Sequence, residues 1–535
     1  NIDVHGKVVD ENGSPMVGAT VSVIDGSSTK TDANGEFYLK GIDEKATLRI
    51  TYLGYRDIEI KARREISIQM QTVSSELQEV VVNKGYYTER KQLSTGNTST
   101  LQAKDIQSQP VTNPLLALSG RVAGLDVTQG TGVAGSSVKL QLRGQNSLLN
   151  GSDPLFIIDG VPIATGNSNI NSYGSVAAGN TFNTTGALSR QTTGYSPLAT
   201  IDPSDIESVE ILKDAHATSI YGSRGANGVV LITTKRGKAG KTSVNIDAYS
   251  GISKIARLPE LLNTQQYIEM RKEAFKNDGV VPNANPGTPG YAPDLMLWDN
   301  NRYTDFQKLL IGGTAKTTNL NAAISGGSAN TQFLINTGFN NGTTVFPGDM
   351  GNKKYSLSLK LDNKSTDNKF FSSLTSFYTV NKNTSFAGDL SGIMLSPNAP
   401  ALYDENEKLN WQENGVPFNN PLGQFLKSYK LDVNNINTNL VAGYHFIDNL
   451  TFKTSVGYNQ LNTNVTSTVP FAAQDPSANP VASASFGKNT FTTVIVEPQL
   501  DYSLKFGKSK VSALVGGSYQ YIEQNALTIT SSGYS

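Results

Sequence analysis

The stretch SPLATIDPSDIESVEILKDAHATSIYGSRGANGVVLITTKRG, residues 196–237, decides the fold. Ile206, Val209 and Ile211 supply the apolar positions of a first strand. Val229 to Thr234 is a β-branched run, the pattern of a strand buried on both faces. Between them lie Tyr221, Gly222, Ser223, Arg224, Gly225, Ala226, Asn227 and Gly228, with three glycines and an asparagine in eight positions. Such residues take positive φ at little steric cost, so the chain is expected to double back there. A strand–turn–strand unit is marginal alone in water and must lean on something larger.

Outward from this stretch, composition narrows the classes. A chain of 535 residues has room for several domains. Its 45 basic and 45 acidic residues balance, and no basic stripe points to nucleic acid. It has no Cys, which excludes disulfides and thiolate metal sites. The three His, at 5, 216 and 445, are too scattered for a histidine metal site, and no cofactor is expected. No run of 18 apolar residues exists, so no transmembrane helix is expected. A β-barrel strand faces lipid with only every second residue and reads as mild, so a membrane protein stays open. Asn1 to Val4 already reads as a strand, and residue 1 is taken as a processed or trimmed start.

Residues 1–72 alternate short β runs with turn signals at Glu11-Asn12-Gly13, Asp25-Gly26 and Asp32-Ala33-Asn34-Gly35, a small β-sandwich. Residues 73–88 form a linker around Glu79, Val80, Val81 and Val82. That short β-branched run suits an extra strand added to another protein's sheet edge. The last strand of the sandwich and a plain linker are the alternatives. Residues 89–237 read as an α+β domain, with short helices at 103–107 and 114–118 and strands through Val138–Leu142 and Leu155–Ile158. Asn167 to Tyr195 is rich in Asn, Ser, Gly and Thr, either a functional loop or a surface excursion.

From residue 238 onward the period becomes two. Nine runs alternate, from SVNIDAYSGI (243–252) to KVSALVGGSYQYI (510–522). Lengths near ten residues match tilted strands crossing an apolar band. Tyr249, Tyr355, Tyr378, Tyr444, Phe446, Tyr458, Tyr502 and Tyr519 are expected to form an interfacial girdle. Residues 262–278 read as a helix with Tyr267, Met270 and Ala274 on one side. Polar stretches at 382–433 and 460–490 are expected as long loops at one end, with Asp448-Asn449 and Gly507-Lys508 as tight turns at the other. The fold class is therefore mainly β: sandwich, α+β domain, then part of a large antiparallel barrel.

No catalytic constellation emerges. Gly222 to Gly228 lacks the Lys-Ser/Thr ending of a phosphate loop. Asp214, His216 and Ser219 share one short segment, unlike a triad. Asp32 to Gly35 lacks the later glutamate of a calcium loop.

IESVEILKDAHATSIYGSRGANGVVLITTKRG, residues 206–237, resembles the end of the plug domain in SusC/RagA-type TonB-dependent outer-membrane transporters of Bacteroidota-like bacteria. His216 departs from it, where a small residue is usual. Residues 1–72 resemble a carboxypeptidase regulatory-like domain, and by position Glu79 to Val82 resemble the TonB box. The resemblance implies a plug-signature turn at Tyr221, Gly222, Arg224, Gly225, Asn227 and Gly228. It further implies substrate-facing plug residues among Arg143, Asn146, Asn167, Asn169 and Arg190. It implies a barrel of about 22 strands, so the chain is expected to be a piece, or the ordered part, of a longer polypeptide. The implied partners are TonB, energised by ExbB and ExbD, a SusD-like surface lipoprotein, outer-membrane lipid, and an oligosaccharide or peptide cargo. The implied location is the Gram-negative outer membrane, with the N-terminal domain periplasmic. The alternative is a non-transporting SusC-fold subunit of an envelope complex.

Overall fold

The computed structural model of the chain describes residues 2–10, 13–23, 26–52, 55, 57–71, 81–83, 85, 88–90, 96–109, 111, 113–129, 138–144, 153–163, 197–387, 391–507 and 509–533. Contacts divide it into two units, Asn1–Val81 with Arg90–Gln92, and Val82–Glu89 with Leu93–Ser535.

The first unit is a β-sandwich. Ile2–Val9 is the centre of a three-stranded sheet, antiparallel to Glu36–Ile42 and parallel to Glu65–Gln69. A four-stranded sheet runs in the order Ser28–Lys30, Thr20–Val23, Thr47–Thr51, Ile58–Lys61. Ile2–Val9 buries every second residue, as a strand with one covered face must. Val4, Val8, Val21, Leu48, Ile50 and Met70 close the core. Gly6 is forced by packing, since a Cβ there would overlap the Phe37 ring.

Within the second unit, a globule is built on a five-stranded sheet. Its order is Thr98–Gln102, Ile206–Leu212, Val229–Thr234, Leu155–Ile158, Val161–Pro162. Val229–Thr234 is central, antiparallel to Ile206–Leu212 and parallel to Leu155–Ile158. Nearly all its residues are buried, which explains its continuous β-branched sequence. Each such Val or Ile contributes roughly 1.5–3 kcal/mol by leaving water. The expected simple turn is instead a helical turn, Ala215–Thr218, followed by a 3-10 segment, Ser219–Gly225, broken at Gly222.

The wall is one antiparallel sheet of ten strand segments, running from Gly240–Ser253 to Tyr519–Ser532. The single strand expected over 510–522 is two segments, Ser509–Gly516 and Tyr519–Ser532, laid in continuous register along Ser483–Phe506. Pro498 explains the break. Gly517 N donates to Pro498 O at 3.1 Å, but Pro498 has no N–H for a return bond.

Of the polar stretches expected as long loops, most of 382–433 is connection, but its two ends and much of 460–490 are strand. Ser428–Ile447 and Leu450–Val469 hold 20 residues each, and Ser483–Phe506 holds 24. At about 3.3 Å per residue they reach roughly 65–80 Å, well beyond an apolar band of about 25 Å. Outside that band the exposed face is polar while the buried face keeps Tyr429, Leu431, Val433, Leu461 and Val465, so the extensions read as polar sequence. Tight turns at 328–330, 365–369 and 448–449 mark one end of the wall, and the long connections mark the other; Lys508 of the expected turn at 507–508 lies outside the described residues.

Register assigns the faces. Along Gly351–Lys364, Asn352, Lys354, Ser356, Ser358 and Lys360 are buried, while Tyr355, Leu357, Leu359 and Leu361 are exposed. Tyr355, Tyr378, Tyr444, Phe446, Tyr502 and Tyr519 are exposed, as a lipid-facing girdle requires. Tyr249 departs from that expectation: it lines an inner cavity with Asp202.

The helix Thr264–Asn277 is capped by Asn263 and Gln266. Its packed face is Tyr267, Ile268 and Phe275 against Ala292 and Leu295. Met270 and Ala274 are exposed, and Arg271 pairs with Asp294 at 2.7 Å. Tyr267 also donates to Asp294, and burial beside that carboxylate pushes its hydroxyl up to about 12.

Candidate functional site: the seam between globule and wall

Four wall strands converge on one short piece of the globule, Thr200 to Asp205. Asp202 and Pro203 explain its shape, since Asp202 caps the 3-10 turn Pro203–Asp205 by accepting from Ser204 N at 2.9 Å. Asp205 Oδ1 accepts from Asn336 Nδ2 at 2.7 Å and from Ser358 Oγ at 2.9 Å. Lys354 Nζ donates to Ile201 O at 3.2 Å, and Thr379 Oγ1 to Thr200 O at 2.7 Å. Asn435 Nδ2 donates to Thr200 Oγ1 at 3.0 Å and itself accepts from Asn459 Nδ2 at 3.0 Å. Elsewhere, Asn439 donates to Asp159 O and Arg236 pairs with Asp362 at 3.0 Å. The wall thus holds the globule largely by polar bonds, beside an apolar patch where Ala199 packs with Tyr429, Leu431 and Val433. Such an interface can slide or part without exposing a large greasy surface to water.

Asp202, Asp205 and Lys354 at this seam are buried. Burial and the neighbouring Asp202 hold the Asp205 carboxyl above the usual carboxylate range, against the bonds from Asn336 and Ser358. Glu210, on Ile206–Leu212, is pushed up to about 7 by burial, with Ser208 Oγ donating at 2.8 Å. The folded state therefore holds a proton between the ordinary glutamate range and about pH 7 that the unfolded chain releases. Stability falls as pH rises through that window. Glu210→Gln removes the ionisable group. Its unfolding free energy should match the parent's near pH 4 and exceed it at pH 8, by on the order of 2 kcal/mol. Denaturant titrations at the two pH values check this.

The plug-signature turn is fully described. Tyr221 is buried, and Gly222 and Gly228 take φ of 57° and 92°. Gly225 does not have positive φ. It is small because a Cβ would stand 2.9 Å from Thr218 O. Arg224 reaches the wall at Gln520, and Asn227 Nδ2 donates to Asp153 O at 3.4 Å. The Tyr221 hydroxyl abuts Gly85 so closely that any Cβ there would overlap it. Gly85 also lines a 280 Å³ cavity with Asp159, Arg236, Lys453 and Glu497, toward the tight-turn end.

Glu79 and Val80 lie outside the described residues. Val81–Asn83 is a strand paired with Thr88–Arg90, apart from both sandwich sheets. Arg143 ends Val138–Leu142 with φ of 64° and is exposed. Asn146, Asn167, Asn169 and Arg190, and the 167–195 stretch, lie outside the described residues. Sequence reading missed Thr200, Asp202, Asp205 and Lys354. The signal was present in Asp202-Pro203-Ser204-Asp205, two carboxylates on a proline turn with no apolar reason to be there.

Comparison with known proteins agrees with this architecture. Residues 90–229 match the TonB-dependent receptor plug domain, and residues 4–82 match the CarboxypepD_reg-like domain. TonB-dependent receptor SusC of Bacteroides thetaiotaomicron is 31% identical over 343 residues, 63% of this chain and 30% of that protein. TonB-dependent receptor P3 of Formosa agariphila is 27% identical over 541 residues, 97% of this chain and 48% of that protein. TonB-dependent receptor P26 of the same organism is 29% identical over 448 residues, 82% and 40% respectively. The chain thus spans about half or less of the curated relatives it matches. The fold resembles a chain of the RagAB peptide importer in its open-open state, with TM-score 0.67, 22% identity, 85% of this chain and 50% of that one. By the order of its domains and by these likenesses, the chain resembles the SusC/RagA-type TonB-dependent receptors.

Proposed function

We propose that the chain serves TonB-dependent import of a large nutrient, an oligosaccharide or a peptide, across the outer membrane with a SusD-like lipoprotein as partner. The observation that carries this reading is the seam: a globule tied by hydrogen bonds to the inner, amide-rich face of a wall whose outer face is apolar. Such a globule closes a passage and can be displaced. In this reading Glu79 to Val82 hang on the periplasmic side, and TonB pairs with them as an added strand. ExbB and ExbD supply the force. The sandwich is periplasmic, and the outer row at Tyr355 to Leu361 meets lipid. The catalytic role is none; the chemistry is gating.

In cells producing the intact receptor, uptake of the cognate nutrient should stop when TonB is removed, while surface binding persists. Uptake indifferent to TonB would contradict the proposal and fit a non-transporting SusC-fold subunit instead.

A further inference from the structure

Gly338 marks an unusual point on the inner face of the wall. A Cβ on it would stand 2.5 Å from Ser356 Oγ, 2.7 Å from Asn321 Oδ1 and 2.7 Å from Asp202 Oδ2. Three oxygens thus crowd the space that glycine leaves open. The register shows why. Asp247 is opposite Asn321, Asn321 opposite Gly338, and Gly338 opposite Ser356, one row across four strands. Asp202 comes to that row from the globule, with Ser356 Oγ 3.4 Å from its Oδ2.

Asn321 is 9% exposed, and its Oδ1 is buried with no hydrogen-bond donor. It lines a 170 Å³ cavity together with Asp202, Asp205, Asp247 and Lys235. An acceptor facing a carboxylate without a donor between them is costly in a buried site. Asp205 is already served by Asn336 and Ser358, and the nearby Lys354 donates to Ile201 O. Three carboxylates face two ammonium groups here, Lys235 and Lys354, so negative charge is in excess.

We propose that a calcium ion binds at this seam, held by Asp202, Asn321 and Ser356 beneath Gly338, with Asp247 as a further carboxylate. All four offer hard oxygen and none offers nitrogen or sulfur, which selects against soft metals. Amide and hydroxyl oxygens suit the irregular coordination of calcium better than the strict octahedron of magnesium. The ion ties the Asp202 turn to three neighbouring wall strands. It thereby sets how firmly the globule is seated, whatever the cargo.

Equilibrium dialysis of the detergent-purified protein against radioactive calcium tests this. One saturable site is expected, weakened at least about tenfold by Asp202→Asn and by Gly338→Ala, whose methyl group enters the cradle. Asn321→Asp should tighten it and Asn321→Ala weaken it, with circular dichroism confirming that each variant is folded. Magnesium should compete poorly. If Asp202→Asn or Gly338→Ala fails to fold, the Asn321 pair still decides. No saturable binding by the parent protein at millimolar calcium would overturn the proposal. Equal binding by Asn321→Asp and Asn321→Ala would overturn it too, since the amide would then merely hydrogen-bond Asp202.

Discussion

Deletion of Glu79 to Val82 is expected to reduce uptake to the level of cells lacking TonB, with folding and surface binding of cargo intact. Besides its backbone the segment carries one carboxylate, Glu79, and three β-branched side chains. A strand added to another sheet is held by backbone hydrogen bonds, each worth about 0.5–1.5 kcal/mol net. Four residues therefore account for roughly 2–6 kcal/mol, or about 30-fold to 10⁴-fold in affinity for TonB. Neither sandwich sheet includes Val81–Asn83, and the wall does not either, so their ladders survive the deletion. Uptake assays in whole cells, alongside cargo binding at the surface, check the result. Substituting single residues in this segment should do less, because backbone bonds survive a side-chain change.

Gly228→Val is expected to produce the largest loss of stability in the globule, about 3–5 kcal/mol. The position has φ of 92°, which a β-branched residue adopts only under strain. Its Cβ would also overlap Leu142 and stand 3.2 Å from Leu212 O. Strain and overpacking therefore add at one residue. The wall sheet has its own ladders, so it should remain folded while the globule loosens. Limited proteolysis, with new cleavage confined to residues of the globule, is the measurement. By contrast, Gly222→Ala meets open space and carries only the backbone cost at φ of 57°.

Much of this was legible because period and punctuation speak directly about local structure. The β-branched run at 229–234 announced a doubly buried strand, and nine alternating runs announced the wall. Three features were not legible. Gly225 looked like a conformational glycine but is a packing glycine, and only the approach of Thr218 distinguishes the two. The extensions of Ser428–Ile447 and Leu450–Val469 carry polar residues on their exposed face, unlike the apolar outward row at Tyr355 to Leu361, so they read as loop despite the buried Tyr429, Leu431 and Val433. The seam joins Asp205 to Asn336 and Ser358, more than 130 residues away, and no local pattern encodes such a contact. Periodicity also could not say which Tyr faces inward, and Tyr249 shows the cost of guessing.

The most direct measurement is a reversible lock across the seam. Ser204 Oγ and Asn336 Nδ2 are 3.2 Å apart, one on the globule and one on the wall. The parent chain has no Cys, so Ser204→Cys with Asn336→Cys introduces the only possible disulfide. The account predicts that this pair cross-links on oxidation, that the oxidised receptor binds cargo without importing it, and that a reductant restores import. Failure to cross-link, or full import while cross-linked, would contradict a globule that sits against the wall and must move to open the passage.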